Sequence, residues 1–462
     1  MRFKEPPIGR ILRVGLLAVV HQAAAQVNFA PATNYFVVSN ATSVAAVDVN
    51  GDGKVDLICA SETGIVTVLT NNGSGGFGSN ATYNVGMNFS MVAVDVNGDG
   101  KVDLVGANIF GGKIPVLTNN GSGGFALASA PVVGSLPQCV VTADVNGDGK
   151  PDLIVAFGGN GPPPAVLTNA GNGIFVGGFS LPPPPPASDS WLVAAADVNR
   201  DGKVDVIDLN SPSSGGYSYL RVLTNGGAGT FALCSSNVVA SGWPGSLTAV
   251  DVRGDGKVDM IVSDNSSGGG KTLELLTNNG AGIFHSNATY TIGQAPDQVI
   301  AADVNGDGRL DLISANGFNG SLTVLTNNRN GGFGSNATIN IGPFTSLIFA
   351  VWVAAADVNG DGKLDLAGAY GGTNRVSVLI NNASFPPPTS TPALKINPSG
   401  NGVLVSWPSA SAGWSLQQNP DLTAADWSPS GYSGYDIADD GTNKSLIVAP
   451  AIGNLFFRLL HP

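Results

Sequence analysis

Short apolar runs separated by clusters of Asp, Asn and Gly dominate the pattern along this chain. In the first complete period the apolar runs are Val44–Val47, Leu57–Ala60 and Ile65–Leu69, and the segment Ser79–Gly86 alternates polar and apolar residues. Short apolar runs bounded by turn residues predict buried strands, whereas alternation predicts a half-exposed strand. Each period therefore predicts four strands. No stretch has a useful helical periodicity, so the predicted fold class is all-β.

The turn between the first two apolar runs carries one nine-residue phrase, which occurs seven times and is first written Asp48-Val-Asn-Gly-Asp-Gly-Lys-Val-Asp56. The later copies begin 47 to 54 residues apart, at Asp95, Asp144, Asp197, Asp251, Asp303 and Asp357. A second phrase follows in each of the first six periods, first as Val68-Leu-Thr-Asn-Asn-Gly-Ser-Gly-Gly-Phe77. Its Asn/Gly cluster predicts a turn between two strands.

Seven four-stranded units of this length predict a seven-bladed β-propeller over residues 26–385. The chain begins with an outer strand, residues 29–38, and the seventh unit stops at its third strand, residues 376–380. We therefore expect the N-terminal strand to complete the last blade, which removes an open sheet edge. The competing architecture is a parallel β-helix of calcium-binding repeats, but the period of such repeats is far shorter.

The two phrases together resemble the FG-GAP, or VCBS-type, repeat, which integrin alpha-subunit headpieces and a fungal lectin share. The resemblance covers most of the chain, with seven copies in register. It implies a propeller fold and a metal-binding Asp loop. For function it implies adhesion, carbohydrate binding or a propeller appended to an enzyme, and it does not choose among them.

The spacing of the Asp loop predicts a calcium site in which positions 1, 3, 5 and 9 supply side-chain oxygens and position 7 supplies its carbonyl. An oxygen-only set suits Ca²⁺ better than Mg²⁺, and the absence of His and Cys from the phrase disfavours zinc and copper. The candidate ligands, loop by loop, are Asp48, Asn50, Asp52, Lys54 and Asp56; Asp95, Asn97, Asp99, Lys101 and Asp103; Asp144, Asn146, Asp148, Lys150 and Asp152; Asp197, Asn199, Asp201, Lys203 and Asp205; Asp251, Asp255, Lys257 and Asp259; Asp303, Asn305, Asp307, Arg309 and Asp311; and Asp357, Asn359, Asp361, Lys363 and Asp365. The alternative is an Asp/Asn/Gly hairpin without an ion, in which three carboxylates would repel one another.

Three departures from the phrase bear on metal binding, and they predict unequal sites. Arg253 replaces the third-position Asn of the fifth loop, so we expect that site to be weak or empty. Arg200 at position 4 of the fourth loop and Pro151 at position 8 of the third loop remove no ligand. Up to seven ions are therefore expected, and we expect them to be structural.

The charge balance supports metal binding and argues against nucleic acid. The chain has 33 acidic and 21 basic residues, a net charge of −12, and 21 of the acids are positions 1, 5 and 9 of the seven loops. Acid concentrated at fixed offsets indicates metal ligation rather than a general acidic surface. A chain this acidic is repelled by phosphate backbones.

The two ends of the chain differ from the repeats. Residues 1–25 have the basic start, apolar run and Ala23-Ala24-Ala25 site of a signal peptide, which predicts a secreted, periplasmic or cell-surface protein. No later stretch is apolar enough to span a membrane. Residues 386–392 predict a Pro/Thr-rich linker, and residues 393–462 a small β-sandwich. The runs Leu404–Pro408 and Phe456–Leu459 resemble a fibronectin type III module.

No catalytic group emerges from the sequence, so no enzymatic activity is expected. His285 is expected at the surface, Cys59 in the core, and the Asp residues outside the repeat in solvated loops; these are Asp189, Asp208, Asp264 and Asp297. The leading hypothesis is a monomeric extracellular binding or adhesion module whose partner is a protein or glycan. One alternative is a lectin that uses Trp191 and Trp243 on the loop face opposite the Asp loops, although packing is the commoner role of such aromatics. The other is the propeller of a secreted hydrolase or lyase.

Overall fold

The computed structural model describes most of the repeat region and short segments beyond it. The described residues are 27–38, 40–86, 90–159, 161–184, 188–212, 216–227, 229–241, 243–265, 270–328, 332–342, 351–371, 373–383, 395–399, 402–408, 415–419, 438–439, 443–448 and 456–460. The predicted signal peptide, residues 1–25, and the predicted linker, residues 386–392, lie outside them. Every regular element in these segments is a β-strand, so the all-β prediction is confirmed. The described residues contain no helix long and apolar enough to cross a membrane.

The described residues of the repeat region form 28 strands, numbered β1 to β28 along the chain. They are β1 Thr33–Phe36; β2 Ala41–Val47, β3 Asp56–Ser61, β4 Ile65–Asn71 and β5 Phe77–Asn84; β6 Met91–Val94, β7 Asp103–Gly106, β8 Val116–Asn119 and β9 Phe125–Ser129; β10 Pro137–Ala143, β11 Asp152–Phe157, β12 Ala165–Asn169 and β13 Phe175–Ser180; β14 Ser188–Ala196, β15 Asp205–Pro212, β16 Tyr217–Asn225 and β17 Phe231–Ser241; β18 Pro244–Val250, β19 Asp259–Asp264, β20 Thr272–Asn278 and β21 Phe284–Thr291; β22 Pro296–Ala302, β23 Asp311–Asn316, β24 Ser321–Asn327 and β25 Phe333–Asn340; and β26 Val351–Ala356, β27 Asp365–Tyr370 and β28 Arg375–Leu379.

These strands form seven antiparallel units of four, which we call blades 1 to 7, beginning with β2–β5. Blade 7 consists of β26, β27, β28 and the N-terminal strand β1, which pairs with β28 in the register Thr33↔Val378 to Phe36↔Arg375. The first strands of successive blades contact one another, and β26 contacts β2, so the series closes into a ring. The chain therefore closes the ring as its sequence predicts, by adding the N-terminal strand to the last blade.

The apolar core lies between blades rather than within one. The six residues of β3 are all buried, and alternate side chains face opposite neighbours. Leu57 packs in a cluster with Val376 of blade 7, whereas Ile58 packs with Leu104 of blade 2. A strand covered on both faces is apolar at every position, which explains the continuous runs in the sequence. Similar clusters occupy the other junctions.

The junction between blades 3 and 4 has a polar component that the sequence did not predict. A single residue pair, Phe157↔Ser190, joins β11 to β14. Ser190 of this pair donates a hydrogen bond to the buried Asp208 carboxylate, which also accepts from the Arg221 guanidinium. Arg221 also donates to the carbonyls of Pro182 and Pro183 in blade 3.

The prediction that the extra Asp residues lie in solvated loops was wrong. All four lie in strands, because the first or second strands of blades 4, 5 and 6 extend beyond the repeat phrase with polar residues that pair inside the sheet. Their positions are Asp189 in β14, Asp208 in β15, Asp264 in β19 and Asp297 in β22. Asp208 is fully buried and ion-paired.

The C-terminal segments contain β29 Lys395–Ser399, β30 Gly402–Pro408, β31 Ser415–Asn419, β32 Ala438–Asp439, β33 Asn443–Val448 and β34 Phe456–Leu460. They pair as a four-stranded sheet, β29-β30-β33-β32, and a two-stranded sheet, β31-β34. Trp407 and Leu446 are buried in the first of these. The assignment to a fibronectin type III-like module stays a prediction.

Candidate metal centre

The seven Asp loops each join the first and second strands of a blade, so they lie at one end of the ring. In the first loop, the Asp48 carboxylate folds the turn around itself. One oxygen, Oδ1, accepts from the backbone N–H of Gly51 at 2.7 Å, and the other, Oδ2, from that of Gly53 at 2.8 Å. Gly51 and Gly53 have φ of 75° and 79°, which glycine adopts without strain. The same two contacts from positions 4 and 6 recur in all seven loops.

Positions 3 and 5 continue the turn and lie towards solvent. The Asn50 side-chain oxygen accepts from the backbone N–H of Asp52 at 2.9 Å, and Asp52 Oδ1 accepts from that of Lys54 at 3.0 Å. The Lys54 ammonium lies 3.5 Å from the other Asp52 oxygen. Both side chains of that ion pair are about two-fifths exposed, so it adds little stability.

Position 9 is the first residue of the second strand and is buried in every loop. In the first loop, Asp56 Oδ1 accepts from the backbone N–H of Asn71 at 2.8 Å, and Oδ2 from that of Val49 at 3.2 Å. Burial raises the pKa of this carboxyl, although the two amide hydrogen bonds oppose the effect. Burial likewise raises the pKa of Asp311 to about 7 and that of Asp365 to about 6.

A ring of buried Asn side chains links each blade to the one before it. Asn119, the last residue of β8, donates from Nδ2 to the carbonyl of Val49 in blade 1 at 2.9 Å and to Val102 in its own loop at 3.0 Å. In the same way Asn71 reaches Val358 of blade 7, so the ring of hydrogen bonds is closed. The remaining members are Asn169, Asn225, Asn278, Asn327 and Asn381.

Sequence reasoning missed this role because it assigned the first Asn of the Asn-Asn-Gly phrase only to a turn. That assignment was correct but incomplete. Asn71 accepts from Gly73 N at 2.8 Å, as a turn residue does, and it also donates to Val358 of blade 7. The available signal was that an Asn occupies the same place in all seven periods, including Asn381, where the Gly residues after the Asn pair are lost.

The donor chemistry of six loops fits a calcium ion. Each offers two carboxylates and a carboxamide in a turn already folded by its own hydrogen bonds, a position-7 carbonyl, and a ninth-position carboxylate. A carboxylate has about four lone-pair directions, so Asp48 Oδ2, which accepts one amide, keeps capacity for a metal, whereas Oδ1 already accepts two amides. Among the described residues, no group of three or more Asp, Glu, His and Cys side chains is gathered as a metal cluster. The carboxylates are instead directed at backbone amides.

The fifth loop does not fit an ion, because the Arg253 guanidinium occupies the space between its carboxylates. Arg253 Nε and Nη2 contact the two oxygens of Asp259 at 3.0 and 2.8 Å, and Nη1 contacts Asp255 at 2.9 Å. The hydrogen bond to Asp259 raises the pKa of Arg253. The guanidinium is therefore a permanent charge at this position.

Aromatic residues at the opposite end of the ring differ in their surroundings. Trp352 is half-buried against the core between blades 7 and 1, which agrees with a packing role. Trp191 and Trp243 form an edge-on pair with ring centroids 4.8 Å apart, and Trp243 is 42% exposed. The Trp243 carbonyl accepts from Asn265, whose side chain donates to Asp297 at 2.6 Å. His285 is exposed and Cys59 is buried, as the sequence predicts.

Comparison with protein families gives one match. The model of the FG-GAP-like repeat matches residues 48–106, 95–155, 144–207, 254–314 and 303–368, which together make up more than half of the chain. Each of the five matched segments begins within an Asp loop and ends in the second strand of the next blade. No curated protein matches.

Solved structures share the fold at low sequence identity. The structure of BBS1N in complex with ARL6DN, in a mercury-soaked crystal, has a TM-score of 0.52 and 12% identity, and covers 78% of this chain and 100% of that one. The structure of the same complex in a lead-soaked crystal has a TM-score of 0.52 and 13% identity, and covers 78% of this chain and 98% of that one. A candidate 6-phosphogluconolactonase from Bacteroides fragilis has a TM-score of 0.49 and 14% identity, and covers 66% of this chain and 85% of that one. At 12% and 13% identity, the likeness to the two BBS1N structures shows the propeller fold alone.

Proposed function

Because the chain belongs to the FG-GAP-like repeat family, we propose that it is a secreted, calcium-stabilised β-propeller that binds an extracellular partner and catalyses no reaction. The observation that carries the proposal is the repetition of one oxygen-only loop whose ninth-position carboxylate is linked, through a buried Asn, to the preceding blade. Asp56 accepts from Asn71, and Asn71 donates to blade 7. An ion at the loop would therefore support a blade junction as well as a turn.

The ion would be held in each fitting loop by positions 1, 3, 5 and 9 and by the carbonyl of position 7. Its chemical contribution is positive charge, which offsets three carboxylates within one turn. After removal of residues 1–25 the chain would have 17 basic and 32 acidic residues, a net charge of −15. Six divalent ions would neutralise most of that charge. Self-repulsion then favours the ion-bound fold.

The proposed calcium binding requires export of the chain, because sites of this kind fill only where calcium is abundant. Loops of this kind bind calcium weakly in extracellular modules, with dissociation constants on the order of 10⁻⁴–10⁻³ M, so they fill where calcium is abundant. Residues 1–25 supply the export signal that this requires. The partner is proposed to be a protein, since the structural neighbour BBS1N was solved in complex with ARL6DN.

Thermal unfolding of the mature chain in calcium and in EDTA tests the metal proposal. An ion at 100 times its dissociation constant stabilises the folded state by about 2.7 kcal/mol per site if it does not bind the unfolded chain. We expect the melting temperature to fall sharply in EDTA and to recover on adding calcium but less so on adding magnesium. An unchanged melt in EDTA contradicts the proposal.

A second candidate function is glycan binding at the end of the ring opposite the Asp loops. The exposed face of Trp243 beside Asn265 and Asp297 favours it, because sugars bind by stacking on aromatic rings and by hydrogen bonds to amides and carboxylates. A glycan array with the wild-type chain and Trp243→Ala tests it. Phe110→Ala is the matched control, since Phe110 is 81% exposed in the β7–β8 loop at the same end. Selective binding lost only in Trp243→Ala supports the lectin, and a blank array rejects it.

A further inference from the structure

The fifth loop differs from the other six at one side chain. In those six loops, position 3 is an Asn whose amide oxygen accepts from the backbone N–H of position 5. In the fifth loop, Arg253 extends from the same position and reaches three acceptors, namely Asp255, Asp259 and the carbonyl of Asn278 at 3.2 Å. One side chain thus contacts the fifth- and ninth-position carboxylates that an ion would join.

The guanidinium also supplies one of the two positive charges that a divalent ion would bring. Asp251, Asp255 and Asp259 carry three negative charges, and the Lys257 ammonium lies 3.7 Å from Asp255, as the position-7 Lys does elsewhere. Arg253 adds a second positive charge, on a side chain that is only 20% exposed. A divalent cation at the same place would meet this fixed charge at short range and would lose the carboxylate oxygens that the guanidinium occupies.

The contacts of Arg253 reach the blade junction. Asn278, whose carbonyl Arg253 contacts, donates its side chain to Val198 of blade 4 at 2.8 Å. In addition, Asn327 of blade 6 donates to Val252, the residue before Arg253, at 2.8 Å. The fifth loop is therefore joined to both neighbouring blades by contacts that need no ion.

We propose that Arg253 is a built-in substitute for the calcium ion in the fifth loop, so that position 3 decides which loops take an ion and blade 5 stays fixed when calcium is withdrawn. The inference rests on the proposed calcium binding of the other six loops. It goes beyond that proposal because it assigns the fifth loop a different response to calcium from the other six.

Counting bound calcium ions in the full mature chain tests the assignment. With calcium chloride as the only added ligand, equilibrium dialysis and elemental analysis should give six ions per wild-type chain. Arg253→Asn should bind one more, and Asn50→Arg, the reverse change in the first loop, one fewer. Arg253→Lys keeps a charge without the planar fork and should gain none. A seventh ion in the wild type, or no gain in a folded Arg253→Asn chain, overturns the inference.

Hydrogen exchange of the wild-type chain gives a second readout that needs no variant. On transfer from calcium to EDTA, the backbone amides of the loop at 251–259 should keep their protection, whereas those of the loops at 48–56 and 95–103 should exchange at least tenfold faster. Equal acceleration in all three loops rejects the role of Arg253 but leaves calcium binding intact. If the wild type binds no calcium and no loop responds, both the inference and the proposed metal function fail.

Discussion

The inter-blade Asn ring makes a quantitative prediction at Asn119. In Asn119→Ala the chain loses two donated hydrogen bonds, to the carbonyls of the buried Val49 and the half-buried Val102, and one accepted from Gly121 N. Val49 keeps another donor, because Gly123 N lies 3.0 Å from its carbonyl oxygen. Val102 loses its side-chain donor in a half-buried turn, and this loss dominates the expected cost.

The magnitude follows from counting these groups. A buried acceptor left unsatisfied costs about 1–3 kcal/mol, and each of the other two lost hydrogen bonds contributes about 0.5–1.5 kcal/mol net. We therefore expect Asn119→Ala to lower the free energy of unfolding by about 3 kcal/mol. The neighbouring residue supplies the control, because Asn120 is exposed and its side chain accepts only from Ser122 and Gly124 within the turn. Since water replaces those contacts, Asn120→Ala should cost less than about 1 kcal/mol.

Urea unfolding of both variants in saturating calcium measures the difference. The transition is followed by circular dichroism and by tryptophan fluorescence, and coincident curves justify a two-state treatment. A lower midpoint with an unchanged slope for Asn119→Ala, and a midpoint close to wild type for Asn120→Ala, is the expected pair of results. Equal effects of the two changes would refute the assignment of Asn119 to the blade junction.

Three further outcomes are expected from other parts of the ring. Arg200 has a φ of 64° where the other loops have Gly, so Arg200→Gly should stabilise the chain by about 1 kcal/mol in urea unfolding, and Arg200→Ala should not. Cys234 is exposed, whereas burial raises the pKa of Cys59 to about 12, so iodoacetamide should label Cys234 in the native chain and Cys59 only after unfolding, as read by peptide mass spectrometry. Arg221→Met leaves the Asp208 carboxylate buried without its cation and should cost about 3–5 kcal/mol, while the double change Arg221→Met/Asp208→Leu should recover most of that loss. An equal loss in the double variant would contradict the last of these.

The strands and their ring order were predictable because the blade interfaces leave a simple pattern in the sequence. Each middle strand is covered on both faces, so Leu57 and Ile58 are both apolar although they face different blades. The outer strand β5 has one face in solvent, and its exposure alternates. Pattern and burial therefore agree strand by strand, and the spacing of the loops fixes the order of the blades.

The contacts between blades were not predictable, because they depend on which residues meet across 50 or more positions of chain. A turn Asn and a bridging Asn are the same residue type, and only the fold brings Asn119 to the carbonyl of Val49. Asp208 was missed for a different reason, since Arg221 is only 13 positions away in the same blade. Nothing near it in the sequence marks Arg221 as its partner, and the two meet only because β15 pairs with β16.

The candidate metal ligands also divide into contacts that local spacing predicts and contacts that it does not. The turn positions Asp48, Asn50 and Asp52 follow from local spacing, since each accepts from an amide two to five residues on. Asp56 has a second role that spacing does not reveal, because it also accepts from Asn71 in the third strand.

A ligand shared between the loop and the junction changes what calcium would do in this fold. If the ion acted on the turn alone, its removal would loosen six separate surface loops and leave the ring intact. Asp56 instead connects the loop to Asn71, which holds Val358 of the preceding blade, so charge repulsion in an ion-free loop acts directly on a blade junction. Losing ions from adjacent loops then weakens adjacent junctions, and the ring should open cooperatively rather than fray at single turns. The Arg253–Asp259 pair lies on the same path in blade 5, which makes that blade the point where the ring is expected to open last.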